Sequence, residues 1–205
     1  MSAHAPVPSQ PVPDALLRAM FEARKSVFVD LLKWDVPVLE GRYEIDQFDD
    51  SHARYVIVAD RQGRHLGSAR LLETERPHLL SSFYAPLCEG PVPQGPAIRE
   101  VTRFCLDRRL RAAERRVVRN ALVHGLVDHA LQEAISAFTA IAALGWFQQI
   151  LAFGWTCRPL GLPTKLGGET LGALRIEIGP ETPALLERAG IDRTSQSPDL
   201  VHYAA

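Results

Sequence analysis

The sequence predicts an α/β fold of mixed type, with a central mixed, largely antiparallel sheet flanked by helices. Its segments switch between helical and two-residue apolar periods in the order helix, antiparallel hairpin, strand, helix, strand, helix, strand, an order that favours helices layered on a mixed sheet. The chain has 205 residues, 46% of them hydrophobic, enough for a substantial core without outside staples. It has no internal repeat and no linker. Residues 14–205 are therefore expected to form one domain behind a flexible, proline-rich arm at 1–13, "MSAHAPVPSQPVP".

The first helix is expected in "DALLRAMFEARKSVFVDLLKW", where Leu17, Met20, Phe21, Val27, Phe28 and Leu31 recur at helical spacing and Asp14 suits the N-cap. "DVPVLEGRYEIDQFDDSHA" is rich in turn formers and acids and reads as a long loop with one extended piece; loops of that length are often functional. "RYVIVAD" and "HLGSARLLE" are strand-like and joined by "RQGR", a hairpin signal containing Gly63. "RPHLLSSFYAPLCEGPVPQGP" is irregular or partly helical, and "IREVTRFCLD" follows as a strand. Helical spacing returns from Arg108 to Gln132. "SAFTAIAA" reads as a buried strand, "LGWFQQILAFGW" as a short helix closed by Gly154 at C′, "ETLGALRIEI" as a strand and "PETPALLERAG" as a last short helix.

Composition narrows the function. A formal net charge of -1 excludes nucleic-acid binding over the whole surface, and no apolar run is long enough to span a bilayer; neither nucleic acid nor membrane is an expected partner. Cys88, Cys105 and Cys157 are odd in number and lack CxxC spacing, so neither a disulfide framework nor a metal knuckle is indicated. The N-terminus lacks a secretory h-region, and a reducing cytoplasm fits best.

Three charges break the apolar patterns. Arg24 falls in the apolar stripe of the first helix, three or four residues from Met20, Phe21, Val27 and Phe28. A buried, unpaired charge costs several kcal/mol, so Arg24 calls for a carboxylate or an anionic ligand, with Asp46 and Asp49 of the acidic loop as candidates; an arginine snorkelling from the helix edge fits the same spacing. Arg70 shares a strand face with Leu66 and Leu72. Parity groups Glu100 with Ile98, Thr102, Phe104 and Leu106. A carboxyl on an apolar face is raised by desolvation and lowered by nearby arginines, which suits a base near neutrality. A structural Glu–Arg pair accounts for the spacing equally well.

Arg24, Phe28 and Trp34 in "EARKSVFVDLLKWDVP", Asp46 and Asp49 in "EIDQFDD", Arg70 in "GSARLL", Phe83, and Glu100 with Arg103 in "EVTRF" resemble, in order and spacing, the successive motifs of the LuxI-type acyl-homoserine lactone synthases. The likeness covers residues 15–107 and, more loosely, the "GW…RPLG" region from Gly154 to Gly161. It departs from the family in the proline-rich arm and at Thr102, where many members carry serine; both side chains offer a hydroxyl.

The resemblance implies a fold similar to GNAT-type acetyltransferases, with splayed strands forming the active-site cleft. It implies S-adenosylmethionine as a substrate, no permanently bound cofactor, and an acyl donor on acyl-carrier protein or coenzyme A. The amine of S-adenosylmethionine attacks the acyl thioester, and its carboxylate then closes on its own γ-carbon with loss of methylthioadenosine. Glu100 becomes the expected general base. Arg24, Phe28, Trp34, Arg103 and Phe104 become expected S-adenosylmethionine contacts, the aromatic faces attracting the sulfonium. Asp46, Asp49 and Arg70 join Arg24 and Arg103 in an electrostatic cluster, and Phe83, Thr102, Phe138 and Thr139 are candidates for the acyl pocket. A threonine near position 139 accompanies acyl chains oxidised at the third carbon in some members. Glu100 and Arg103 lie three residues apart, so a regular strand would point them to opposite faces; a β-bulge would reconcile them.

Arg111, Arg115 and Arg119 stack at i, i+4 spacing, with Arg108 and Arg109 near the positive end of the helix dipole. That opposed placement suggests an external anion, and acyl-carrier protein is the docking partner the resemblance favours. His52, His65, His78, His124 and His129 share no ligand spacing, so no metal site is expected. Ser81 and Ser82 lack a nucleophile-elbow context, and Cys105 is expected in the core, opposite Glu100. Two rival functions remain: an ordinary GNAT acyltransferase, weakened by the glycine-free turn "DRRLRAAER", and a nonenzymatic binding module using the arginine-rich helix.

Overall fold

The computed structural model describes residues 13–193 and 200–204; all of the expected arm but Pro13 lies outside them. The first helix, α1 (Asp14–Arg24), is capped by Pro13 with Asp14 inside its first turn, so Asp14 is not the N-cap. It runs into a π-helical segment, Lys25–Leu31. The changed helical pitch carries Leu31 and Leu32 out to 57% and 50% exposure, off the stripe to which a constant period assigns Leu31. The acidic loop contains a two-strand ribbon, β1 (Val38–Leu39) and β2 (Tyr43–Glu44).

The main sheet begins with the expected hairpin, β3 (Arg54–Asp60) and β4 (His65–Glu73). Asp60 Oδ1 accepts the Gln62 and Arg64 N–H groups across the turn, and Gly63 takes φ 75°. Then follow α2 (Leu79–Phe83), a 3-10 turn at Ala85–Leu87, β5 (Ile98–Leu106), α3 (Ala112–Gln132), β6 (Ala137–Ala143) and α4 (Leu144–Leu151). The chain continues with β7 (Cys157–Pro159), β8 (Thr164–Leu166), β9 (Glu169–Glu177), α5 (Thr182–Arg188) and β10 (Leu200–Ala204). The sheet order is β10-β3-β4-β5-β6-β9-β7, with β8 also on β9. Among the described strands only the central β5–β6 pair is parallel, and α3 makes the crossover that such a pair requires.

Alternation sorts the two faces. Val56, Val58, Leu71, Phe138 and Leu174 face α3 and α4 in the main core, while Tyr55, Ile57 and Leu72 meet Leu16 and Met20 of α1. Each such side chain, fully buried, contributes about 1.5–3 kcal/mol of transfer free energy. Gly154 (φ 88°) lies two residues past the α4 cap Ala152, not at C′; a Cβ there would come within 2.5 Å of Ala189 Cβ beside α5.

Two irregularities of β5 shape the site. Arg70 pairs with Thr102 and Ser68 with Cys105, so Arg103 and Phe104 together oppose Ala69. This is a β-bulge, and Arg103 takes the left-handed conformation at φ 51°. Second, β5 pairs with β6 only over Ile98–Val101, although both strands run on to Leu106 and Ala143. Beyond that point they part and open a wedge in the sheet.

Candidate active site

Arg24, Arg70 and Arg103 meet three carboxylates under the acidic loop. Arg24 donates through Nε to Glu44 at 2.5 Å and through both terminal nitrogens to Asp49 at 2.8 Å. Arg70 donates to both oxygens of Asp46 (2.6 and 3.1 Å), lies 2.8 Å from Asp49, and gives its Nε–H to Thr102 at 3.0 Å. Arg103 closes the ring onto Glu44 at 2.9 Å and Asp46 at 2.7 Å. The six side chains sum to zero formal charge, which is what permits their burial. Burial opposes the Arg24 charge, but the hydrogen bonds and charge of Asp49 and then Glu44 prevail and hold its pKa above the ordinary arginine value. Burial likewise pushes the Asp49 carboxyl up, and Arg24 outweighs it, leaving Asp49 well below the usual carboxylate range.

The network fixes the aromatic mouth of the site. Phe28, from the π-helical turn, stacks on Trp34 with centroids 4.8 Å apart and planes 9° from parallel. The Arg103 guanidinium lies 5.7 Å from the Phe28 centroid and 6.0 Å from that of Trp34. π-helical turns occur frequently at functional sites.

Glu100 is fully buried on β5. Among the described residues it makes no arginine pair: its oxygens accept the N–H groups of Leu79 at 2.8 Å and Leu80 at 2.9 Å. Burial raises its pKa to about 7, with the Leu80 and Leu79 bonds and the Arg70 charge pulling the other way. The structural Glu–Arg alternative is therefore replaced by a backbone anchor.

Two cavities open on opposite faces of the sheet. One, of about 670 Å³, is lined by Glu100, Asp46, Phe48, Leu79, Phe83 and Tyr84. The other, of about 780 Å³, is lined by Phe28, Phe104, Leu126, Phe138, Trp146, Phe153 and Trp155. Trp34, Thr102 and Arg103 line both, as do Ile141, Ala142 and Ala143 of β6, so the cavities meet at the wedge.

Several expected placements change. The bulge inverts parity after Arg103, so Phe104 and Leu106 pack with the main core, away from Glu100, while Cys105, opposite Ser68 in the register, shares the Glu100 face. Arg24 lines neither cavity and is committed to the network. The four acyl-pocket candidates divide: Phe138 lines the apolar cavity, Phe83 the Glu100 cavity, Thr102 both, and Thr139 neither, being fully buried beside Glu100 in the ladder. The third helix begins at Ala112, so Arg108 and Arg109 precede it, and Arg109 pairs with Asp107. Arg119 is engaged with Asn120 Oδ1 and the Phe153 face, whereas Arg108, Arg111 and Arg115 are exposed, and Arg108 and Arg115 border the apolar cavity. Sequence reasoning missed Glu44 and the aromatic wall of Trp146, Phe153 and Trp155. The signal for Glu44 was arithmetic, since three buried arginines cannot be balanced by Asp46 and Asp49 alone. Among the described residues no His, Cys, Asp and Glu group could hold a metal ion, and no helix is long and apolar enough to cross a membrane.

A mixed sheet whose central parallel strands part just beyond a buried carboxyl that burial raises to about 7, with an apolar cavity on the far side, defines an acyltransferase of GNAT-like architecture. Residues 12–184 match the autoinducer synthase family, and the chain belongs to that family of acyl-homoserine-lactone synthases. It is 30% identical to the acyl-homoserine-lactone synthase of Ralstonia nicotianae over 180 residues, covering 85% of this chain and 88% of that one. It is 31% identical to the Pseudomonas aeruginosa synthase over 163 residues, 78% of each. Among solved structures, the CoA-dependent synthase BjaI, determined with SAM and isopentyl-CoA, superposes with a TM-score of 0.78 at 26% identity over 86% of this chain and 83% of that one. LasI gives 0.75 at 27% identity over 85% and 88%. A putative N-acetyltransferase from Lactobacillus plantarum gives 0.54 at 14% identity over 82% and 95%, a likeness of fold alone.

Proposed function

We propose that this enzyme joins S-adenosylmethionine to an acyl thioester at the wedge between β5 and β6, each substrate occupying one cavity. The observation that carries the reading is the pair of cavities sharing Trp34, Thr102 and Arg103, one walled by a carboxyl poised near neutrality and the other by hydrocarbon and aromatic side chains. The Glu100 cavity takes S-adenosylmethionine, with Trp34 offering an aromatic face to the sulfonium. Glu100 removes a proton from its α-ammonium, directly or through a water. The free amine attacks the thioester carbonyl, the new C–N bond forms as the C–S bond breaks, and the departing thiolate takes up a proton. The carboxylate then attacks the γ-carbon, and its C–S bond breaks to give the lactone and methylthioadenosine. The six-charge network acts by holding Arg103 and the residue 33–49 segment over the cavity.

The apolar cavity takes the acyl chain, and the proposed donor is an acyl-carrier protein, whose acidic surface and phosphopantetheine suit the exposed Arg108, Arg111 and Arg115. Acyl-CoA is the second reading, because BjaI and MesI, among the solved neighbours, are CoA-dependent. Incubation with S-adenosylmethionine and a panel of acyl-carrier and coenzyme A thioesters, with products identified by mass, tests the function; no lactone from any donor rejects it. The donor is tested by Arg111→Glu with Arg115→Glu. The carrier reading expects a raised KM for acyl-carrier protein and unchanged affinity for S-adenosylmethionine. Unchanged carrier kinetics with an impaired acyl-CoA reaction transfers the role to coenzyme A.

A further inference from the structure

Glu100 is held by a turn, and the turn is closed by a histidine. His78 Nδ1 lies 2.8 Å from the Arg76 carbonyl oxygen and 3.1 Å from Ser81 Oγ. The His78 N–H donates to Ser81 Oγ at 3.2 Å, and the Ser81 hydroxyl donates back to the His78 carbonyl at 3.1 Å. A carbonyl oxygen only accepts, so the proton of the neutral ring sits on Nδ1 and Nε2 is a bare acceptor. Among the described residues that Nε2 has no partner, in a side chain with 0% exposure. Burying an unmade hydrogen bond is unfavourable, and an apolar residue would avoid it. What the histidine provides in return is the Nδ1–H bond that fixes residues 76–81. The next two residues, Leu79 and Leu80, supply the N–H groups that meet the Glu100 oxygens.

We propose that His78 is a positioning residue for Glu100: its Nδ1–H bond to the Arg76 carbonyl sets the turn that aims the Leu79 and Leu80 N–H groups at the carboxylate. The inference rests on Glu100 being the base. Those N–H groups favour the charged carboxylate and oppose the effect of burial. With the turn loosened, burial acts with less opposition and Glu100 keeps its proton to higher pH. The other charges near Glu100 are untouched by a change at position 78: Arg70 behind it on β4, and Lys33, Asp35, Asp46, Arg103 and Glu169 around the cavity.

The test is a titration of the Glu100 side-chain carboxyl by heteronuclear NMR in the full chain, alongside the pH profile of kcat/KM and the melting temperature, for wild type, His78→Ala and His78→Asn. The asparagine side-chain nitrogen occupies the place of Nδ1 and donates to the same carbonyl. The expected result is a rise of about one pH unit in the Glu100 titration of His78→Ala, the scale of one weakened hydrogen bond to a charge. The acid limb of kcat/KM moves with it, and His78→Asn stays with the wild type. A folded His78→Ala with an unmoved titration, or equal slowing of both variants at every pH, overturns the proposal. If His78→Ala does not fold, His78→Gln takes its place, its amide one methylene too far out to reach the carbonyl in the same way. A wild type that makes lactone without an acid limb removes the base and this inference together. A wild type whose Glu100 titrates as expected but makes no lactone removes the reaction alone, and the NMR comparison still decides the role of His78.

Discussion

Glu100 and Asp49 are both buried carboxylates, and their surroundings drive them in opposite directions. For Glu100 burial prevails and the pKa rises to about 7; for Asp49 the Arg24 bonds prevail and the pKa falls. Glu100→Gln is expected to retain S-adenosylmethionine binding and to lower kcat by roughly 10²-fold, the usual scale of general-base loss. Near-normal turnover rejects the base. The wild-type kcat/KM should climb with pH through about 7 as Glu100 deprotonates. Stability runs the other way: the native Glu100 holds its proton more tightly than an unfolded glutamate, near about 4.3, so this contribution is present at low pH and is lost as pH rises through the native value. Urea unfolding across that window should therefore show Glu100→Gln gaining on the wild type as pH rises. Asp49, with its depressed pKa, contributes stability that is present above the unfolded aspartate value and lost as pH falls. An Asp49→Asn variant should lose its deficit relative to wild type in acid.

At the level of elements, the bulge at Arg103 explains how one strand serves two purposes. Before it, Glu100 faces the cavity of Phe48 and Phe83, with Thr102 at the junction of the two; after it, Phe104 joins the aromatic wall on the other side. Because Arg103 sits at φ 51°, Arg103→Gly and Arg103→Ala should differ even though both lose the Glu44 and Asp46 bonds. Denaturant unfolding is expected to find the alanine variant less stable by about 1 kcal/mol, the scale of the left-handed penalty for a residue with Cβ. Equal stabilities would show that the strand relaxes to a regular ladder. Glu44→Gln leaves Arg24 and Arg103 short of one negative charge, and about 3 kcal/mol of destabilisation is expected from breaking a buried pair. Much of this was legible in the sequence. Strands β5 and β9 announce themselves by alternation, β3 and β4 by strand-like runs joined through a turn signal, and β6 as a buried apolar run; the conflict between Glu100 and Arg103 pointed to the bulge. Arg24 and Arg70 in apolar stripes called for a carboxylate or an anionic ligand, and Glu44, Asp46 and Asp49 are the carboxylates they meet. The π-helical segment was hidden because its apolar residues continue the α-helical spacing, and β1, β2, β7 and β8, two or three residues long, are too short for a period to register. The start of α3 was misread because "DRRLR" carries no breaker.

Across the whole molecule, the wedge between β5 and β6 turns a sheet, normally a barrier between two faces, into a passage. Residues that looked alike in sequence are separated by it: Phe83 lies on the α2 face against Phe48, and Phe138 lies on the α3 face in the main core. If the two substrates approach from opposite faces, their affinities must be separable by mutation except where the cavities join. Phe83→Ala is expected to raise the KM for S-adenosylmethionine roughly five-fold, about 1 kcal/mol of lost aromatic contact, and to leave the acyl donor unaffected. Ala140→Leu, which adds bulk to the wall of the apolar cavity, should raise the donor KM most for the longest chains and leave S-adenosylmethionine unaffected. Trp34→Ala, at the junction, should raise both. The decisive comparison is between the two one-sided variants, measured by initial rates with each substrate varied in turn. If Phe83→Ala acts on the donor and Ala140→Leu on S-adenosylmethionine, the occupants are exchanged; if each variant weakens both substrates equally, the wedge is one undivided site and the two-faced arrangement is wrong.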